Sequence, residues 1–133
     1  MSRMLMGTSQ VAEPFWEGTK EKVLRLQFCK DCGKAHHYPR NFCPHCHGEN
    51  LEWKDASGDG TIYAITVCYK PGLPTMAAAV PYTVALVDLA EGPRMMTNVV
   101  GCEDPTSAKV GDKVKVAWED AGGEKNLPVF ELA

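Results

Sequence analysis

Four cysteines are the residues of this sequence whose type and spacing could do chemistry. They form two Cys-x-x-Cys pairs, separated by ten residues: Cys29, Cys32, Cys43 and Cys46. Each pair makes a tight knuckle that aims two sulfurs at one ion, and two facing knuckles complete a tetrahedron with Zn–S bonds of about 2.3 Å. The spacing therefore predicts one metal ion per chain, bound by four thiolates. Because thiolates fill every position, no site remains for water or substrate, and the ion is predicted to be structural.

Zinc is the predicted metal, and iron is the alternative. A Cys-x-x-Cys-Gly knuckle that faces a Cys-Pro-x-Cys knuckle also suits a rubredoxin-type iron site, which would colour the protein red and could transfer electrons. A redox dithiol or chance buried cysteines would leave the second pair unexplained. The sequence alone keeps zinc and iron open.

Glycines and histidines surround the cysteine pairs. Gly33 and Gly48 are expected to adopt the left-handed conformation that lets backbone N–H groups point at the sulfurs. A histidine could in principle replace a cysteine as ligand, but four well-spaced thiolates are already present. The histidines are therefore predicted to be surface residues, and they are His36, His37, His45 and His47.

The elements that must position the cysteines divide the chain into three parts. An N-terminal arm and short helix are predicted over 1–23, with Pro14 in the first helical turn and an interruption at Gly18. The metal-binding module, a zinc ribbon, is predicted over 24–54, and it begins with a strand because apolar and polar residues alternate from Leu24 to Phe28. A turn-rich boundary follows, and 55–133 is predicted to be a barrel.

The second half reads as strands throughout, so the fold class is mainly β. A small five-stranded Greek-key barrel of the OB type fits the count and size. A β-sandwich ranks second, because it normally has about seven strands. The five predicted strands are rich in β-branched and aromatic residues and cover Thr61 to Tyr69, Tyr82 to Leu89, Arg94 to Val100, Lys113 to Glu119 and Pro128 to Leu132.

Charge and composition argue against several classes of partner. Residues 1–53 carry seven Lys/Arg against six Asp/Glu, and residues 54–133 carry seven against eleven, giving a formal net charge of -3 for the chain. This balance lacks the basic footprint of a nucleic-acid binder and the polybasic patch of a protein that binds anionic membranes. Cysteines that read as metal ligands and free thiols fit a reducing compartment, so we expect a cytoplasmic protein.

No catalytic constellation emerges from the remaining residues. Cys68 and Cys102 are single cysteines in or beside apolar strands, and the better prediction for them is buried, inert thiols. Asp55 and Asp59 fall in a turn, which they are expected to cap and solvate. The sequence contains no phosphate-binding glycine loop, nucleophile elbow or His-Glu-x-x-His motif.

The order of these features resembles a known family, the zinc-ribbon/OB-fold acyl-CoA-associated proteins. The resemblance rests on Phe-Trp-Glu-Gly at residues 15–18, the Cys-x-x-Cys-Gly knuckle, and Tyr-Pro-Arg-x-x-Cys-Pro-x-Cys at residues 38–46. It continues through Ser-Gly-x-Gly-Thr-Ile-Tyr at 57–63, Pro-Tyr-Thr-Val-Ala-Leu-Val-Asp-Leu at 81–89, Val-Gly-Asp-Lys-Val-Lys-Val at 110–116 and the terminal Leu-Pro-Val-Phe. It implies a short N-terminal helix, a rubredoxin-like zinc ribbon and an OB barrel.

The resemblance also implies a function that spacing alone does not give. Such proteins are small partners of thiolase-like enzymes, or of hydratase and aldolase subunits, and the partner carries the catalytic groups. The leading hypothesis is therefore a non-catalytic accessory subunit, with a CoA ester bound together with the partner. A stand-alone acyl-CoA-binding or acyl-CoA-hydrolysing protein, a nucleic-acid-binding module and a rubredoxin-like electron carrier are the alternatives. The candidates for an exposed partner-binding patch are Phe15, Trp16, Leu73, Met76, Met95 and Met96, of which Met95 and Met96 must face opposite sides.

Overall fold

The N-terminal part of the fold is one short helix against the body of the protein. The computed structural model describes residues 9–122 and 124–133, so most of the predicted arm lies outside the described residues. A 3-10 turn over Gln10–Ala12 leads into helix α1, Glu13–Lys20, with Pro14 in its first turn. Among the described residues, no helix is long and apolar enough to cross a bilayer.

Helix α1 runs straight through Gly18, so the predicted interruption is wrong. Gly18 is buried, and a Cβ there would lie 2.9 Å from the Val23 carbonyl oxygen and 3.0 Å from the Arg25 side chain. The residue is glycine because the chain returns over the helix at this point. The helix also meets the barrel, since the Asn126 side-chain amide donates to the Thr19 carbonyl oxygen at 2.8 Å.

The ribbon is built on a small antiparallel sheet. Strand β1 (Arg25–Cys29) lies between β2 (Ala35–His36) and β3 (Leu51–Asp55). Its inner position carries the first metal-binding candidate to the end of the sheet, because Cys29 pairs with Leu51 in register. The predicted strand over Leu24 to Phe28 is confirmed with a shift of one residue.

The barrel sheet has the order β6-β5-β4-β8-β9-β7, antiparallel except for the parallel pair β7–β9. Its first and last strands are consecutive in the chain, with a single residue between them, so the sheet curls until the chain itself joins its two edges. This is the OB arrangement that the strand pattern predicts. The strands are β4 (Asp59–Cys68), β5 (Tyr82–Leu89), β6 (Arg94–Thr97), β7 (Val99–Val100), β8 (Lys113–Gly122) and β9 (Lys125–Leu132).

Asn98 is the residue at which the curl closes, and it divides the single strand that was predicted over Arg94 to Val100. Its carbonyl oxygen accepts from the Phe130 N–H at 2.9 Å, and its side-chain amide donates to the Thr83 carbonyl oxygen. One residue thus connects β9 with β5. The turn depends on contacts with strands distant in sequence, which is why the local pattern reads as one continuous strand.

The two sheets share one hydrophobic core. Leu24 and Leu26 are almost fully buried and belong to the same cluster as the barrel residues Ile62, Val87 and Phe130. The ribbon's central strand therefore packs its apolar side against the barrel and holds Cys29 at its end. The cluster also contains Phe15 from helix α1.

Candidate metal centre

The four cysteines converge on one point at the end of the ribbon. Their sulfurs all lie within 4.8 Å of one another. The two knuckles face each other in a crossed arrangement: Cys29 Sγ lies 3.6 Å from Cys46 Sγ, and Cys32 Sγ lies 3.6 Å from Cys43 Sγ. The thiols are free, and no other group of three or more candidate ligands occurs in the described part of the chain.

The spacing of the sulfurs fits a tetrahedral ion. Four ligands at the Zn–S distance of about 2.3 Å stand roughly 3.8 Å apart along the edges of a tetrahedron. The observed 3.6 Å separations are close to that edge and far longer than a disulfide of about 2.05 Å. The arrangement is that of a closed four-thiolate site, which can fix two loops but offers no position for a substrate.

Both knuckles turn through a left-handed residue, and the sequence predicted one of the two correctly. Gly33 has φ +76°, as predicted, and its N–H donates to the Cys29 carbonyl oxygen at 2.9 Å. In the second knuckle the left-handed residue is His47, φ +65°, whose N–H donates to the Cys43 carbonyl oxygen at 2.9 Å. Gly48 serves another purpose, since a Cβ there would lie 2.9 Å from an Asp31 carboxylate oxygen and 3.4 Å from Cys46 Sγ.

Backbone N–H groups stabilise the thiolate form of Cys43. Burial raises the pKa of this thiol, but the backbone N–H groups of Cys46 and His45, together with hydrogen bonds from the Cys32 and Cys46 thiols, outweigh burial and lower the pKa to about 6. The His45 N–H lies 3.4 Å from Cys43 Sγ. This sulfur is therefore prepared for a cation by the fold itself.

The histidines correct one prediction. His45 and His47 are exposed, as expected, but His36 is only 6% exposed and His37 is half-buried. His36 Nε2 lies 2.6 Å from Gln27 Oε1, and burial is the main cause that lowers its pKa. None of the four joins the cysteine cluster.

A buried glutamine organises the loop between the knuckles, and sequence reasoning missed it. Gln27 is 4% exposed; its Oε1 accepts the Arg40 N–H at 2.8 Å, and its Nε2 donates to the Arg40 carbonyl oxygen at 2.9 Å. Together with the His36 contact, these bonds fix the loop to strand β1. The sequence did contain a signal. Gln27 is a polar residue between Leu26 and Phe28, and the strand alternation places it on the side of β1 that faces away from the barrel.

The other predicted residues have mixed outcomes. Cys68 and Cys102 are half-buried rather than buried, and Asp55 forms an ion pair with Arg25 at 2.9 Å.

The candidates for an exposed partner-binding patch divide into buried and exposed residues. Met95 is 2% exposed and Met96 is 60% exposed, so the prediction that they face opposite sides is confirmed. The remaining candidates divide in the same way: Phe15 is buried, Trp16 and Met76 are half-buried, and Leu73 is exposed.

Comparison with known proteins identifies the family. Residues 16–52 match the family model described as the ChsH2 rubredoxin-like zinc ribbon domain, and residues 53–119 match that of the ChsH2 C-terminal OB-fold domain. The chain belongs to the ChsH2 zinc-ribbon/OB-fold family, also called DUF35. The resemblance drawn from the sequence and the predicted fold class are both confirmed. The zinc-ribbon match contains all four clustered cysteines.

Relatives and a solved structure extend this finding. A probable enoyl-CoA hydratase alpha subunit of Thermomonospora curvata is 39% identical over 90% of this chain, but over 37% of its own length. A DUF35 domain-containing scaffold protein of Methanothermobacter thermautotrophicus is 35% identical over 68% of this chain and 67% of its own. A solved chain named Ltp2-ChsH2(DUF35) aldolase superposes with a TM-score of 0.83 and 34% identity, covering 96% of this chain and 98% of that one. This chain thus spans little more than a third of the hydratase relative.

Proposed function

We propose that this chain is a non-catalytic, zinc-binding accessory subunit. It binds an aldolase, hydratase or thiolase-like enzyme and supports the acyl-CoA chemistry of that enzyme. The observation that carries the proposal is the superposition on the chain named Ltp2-ChsH2(DUF35) aldolase, which covers nearly the whole of both chains at 34% identity. The names of the scaffold and hydratase alpha-subunit relatives point the same way.

Cys29, Cys32, Cys43 and Cys46 hold one structural zinc ion in this proposal. The support is the near-tetrahedral spacing of their sulfurs, which all lie within 4.8 Å of one another, and the zinc-ribbon family match across them. Bound zinc would supply only cross-linking, because the four sulfurs complete its coordination. The units of the proposed subunit are the N-terminal arm and helix (1–23), the ribbon (24–54) and the barrel (55–133).

A non-catalytic role agrees with how the polar residues of the described chain are used. Two carboxylates that could otherwise do chemistry are held in ion pairs, Asp55 with Arg25 and Asp88 with Arg94. A CoA ester would then be the substrate of the partner, held where the two proteins meet. Such a role fits the cytoplasm, where reduced thiols remain available to a metal.

Co-purification with the candidate partner tests the proposal. The chain would be co-expressed with an aldolase- or thiolase-like enzyme from the same organism, captured through a tag, and sized by gel filtration. We expect a stoichiometric complex whose turnover of an acyl-CoA substrate exceeds that of the enzyme alone, while the isolated chain turns over none.

Two results would contradict this function. Elution of the chain as a lone monomer that leaves the enzyme's activity unchanged would exclude the accessory role. Turnover by the isolated chain would exclude the non-catalytic role. Zinc content, measured on the same fractions, separates a chain that does not bind the enzyme from a chain that has lost its metal.

A further inference from the structure

A cleft lies where the ribbon faces the barrel. Its volume is about 460 Å³, within the range of small-molecule sites. The ribbon wall is the segment 33–38 with Arg40, Pro44 and His45, and the barrel wall is the turn 91–94 between β5 and β6. The Tyr38 hydroxyl accepts from the Met96 N–H at 3.3 Å and connects the two walls.

The cations of the two walls are used differently. On the barrel wall, Arg94 is committed: its Nε donates to Asp88 at 2.6 Å, and its guanidinium lies 3.4 Å from the centre of the Tyr63 ring. On the ribbon wall, the Lys34 and Arg40 side chains have no acidic partner in the described part of the chain. A chain with a net charge of -3 therefore presents unpaired positive charge along one side of a concave surface.

The two cations of the ribbon wall face one acid. Among the residues that line the cleft, Glu91 on the barrel wall is the one acid; its Oε2 accepts the Ser57 N–H at 3.0 Å, and its buried Oε1 has no hydrogen-bond partner in the described part of the chain. The histidines on the ribbon wall add no negative charge. The wall is thus electrostatically matched to an anion.

Arg40 is held in place by its backbone rather than by its side chain. Gln27, 4% exposed, accepts the Arg40 N–H at 2.8 Å and donates to the Arg40 carbonyl oxygen at 2.9 Å. A third contact joins the same glutamine oxygen to His36 Nε2 at 2.6 Å. The buried side-chain amide of Gln27 therefore uses its oxygen and its nitrogen to hold the backbone of Arg40. The exposed Arg40 guanidinium remains free to bind a ligand.

We propose that this cleft binds a phosphate-bearing ligand of nucleotide size, with Arg40 as the principal anchor and Lys34 as the second cation. Arginine favours phosphate because its planar fork makes two parallel hydrogen bonds to one phosphate group. The cleft is large enough for a nucleotide, and its volume of about 460 Å³ exceeds the space that a lone phosphate fills. The site is independent of the proposed function, whereas a CoA ester as the source of the phosphates rests on it.

Calorimetric titration of the zinc-loaded full chain tests the site, with ADP, coenzyme A and phosphate-free adenosine as probes. We expect ADP and coenzyme A to bind and adenosine to bind at least about tenfold more weakly. Arg40→Gln should weaken ADP binding about tenfold, since it removes the fork but keeps the backbone bonds to Gln27. Lys109→Gln, which removes an exposed positive charge outside the cleft, is the matched control and should change affinity less than about twofold.

The outcomes divide cleanly. Equal affinities for ADP and adenosine, or an unchanged ADP affinity in Arg40→Gln, would overturn the site. Loss of zinc from Arg40→Gln, measured in the same sample, would overturn it too, because Arg40 would then serve the thiolates. Tighter binding of coenzyme A than of ADP supports a CoA ester as the source, and equal binding supports a free nucleotide. ADP binding by a chain that captures no enzyme would leave the site standing and overturn only the accessory role.

Discussion

In the proposed zinc form, the knuckles of the ribbon and the barrel are held together by different physical means. Around the four cysteines, between Cys29 and Gly48, the side chains are mostly exposed or half-buried, and Cys29, Ala35, His36 and Cys43 are the buried ones. The barrel instead encloses a continuous apolar cluster around Phe130 and Val87. One region thus depends on ligation and the other on burial, so they should fail under different conditions.

Strand β1 belongs to both regions. Leu26 is fully buried in the barrel cluster, while Cys29, three residues later, ends at the sulfur cluster. Unfolding of the knuckles should therefore stop at this strand, because its apolar side stays covered without a metal. This boundary can be tested by attacking each region separately.

Removal of a metal ligand should have the largest effect. Cys43→Ser replaces a fully buried thiol, and structural zinc in such sites contributes about 10–16 kcal/mol of apparent binding free energy. We expect zinc binding to be lost and the amides of residues 29–48 to lose hydrogen-exchange protection, while β5 and β8 keep theirs. NMR exchange and zinc analysis measure both, with Cys68→Ser as the control that keeps one zinc per chain. Equal loss of protection in β5 would mean that the two regions form one cooperative unit.

Truncation of the barrel core comes next. Phe130→Ala empties a fully buried site and should lower the free energy of unfolding by about 3–5 kcal/mol. Leu132→Ala, on the same strand but 39% exposed, should cost less than about 1 kcal/mol. Urea unfolding with simultaneous detection of released zinc provides the measurement. Folded Phe130→Ala should contain as much zinc as the unchanged protein. Release of that zinc only as the barrel unfolds would show that burial in the barrel supports metal ligation.

Acid should weaken the junction between the two regions through His37. Burial, with a smaller contribution from nearby His36, lowers the pKa of His37 from 6.5 to about 4. The unfolded chain then takes up a proton first, so stability is present above pH 6.5 and is lost as the pH falls towards 4, with a slope of at most about 1.4 kcal/mol per pH unit.

The variant His37→Phe isolates this contribution. It keeps an aromatic ring beside Phe15, whose ring centre lies 5.6 Å from that of His37, but it has no proton to gain. Unfolding free energies of the two proteins at pH 6.5 and 5.0 should differ in slope, since protonation of the thiols affects both alike. Identical slopes would show that His37 does not control the acid response.

The smallest expected effect concerns backbone strain in the second knuckle. His47 has φ +65°, a conformation that costs most non-glycine residues roughly 1–2 kcal/mol. His47→Gly should raise the stability of the zinc form by less than about 1 kcal/mol, because the gain is partly offset by the larger entropy of the unfolded glycine chain. His45→Gly, two residues earlier and not left-handed, should lower it. Thermal unfolding of the two variants compares them directly, and a loss of stability in both would contradict the strain argument.

Local patterns were enough to predict the positions of most elements. The strand alternation located β1, β4, β5, β8 and β9, and the turn at residues 90–93 was evident from its glycine and proline. Local patterns failed where a distant contact decides the conformation. Gly18 is a glycine within the helix because a Cβ there would clash with the returning Val23, and Asn98 breaks a strand because it connects Thr83 with Phe130.

By itself, the sequence determined the four-cysteine pattern, the mainly β fold and the family, because these depend on residue types at short, fixed separations. Tertiary structure alone decided that His36 is buried, that His47 and not Gly48 is the left-handed residue, and that Gln27 fixes Arg40 beside a cleft. Gln27 and Arg40 are 13 residues apart, and the far wall of the cleft starts some 50 residues later. Such contacts arise only when the ribbon packs on the barrel, and no periodicity in the chain encodes them.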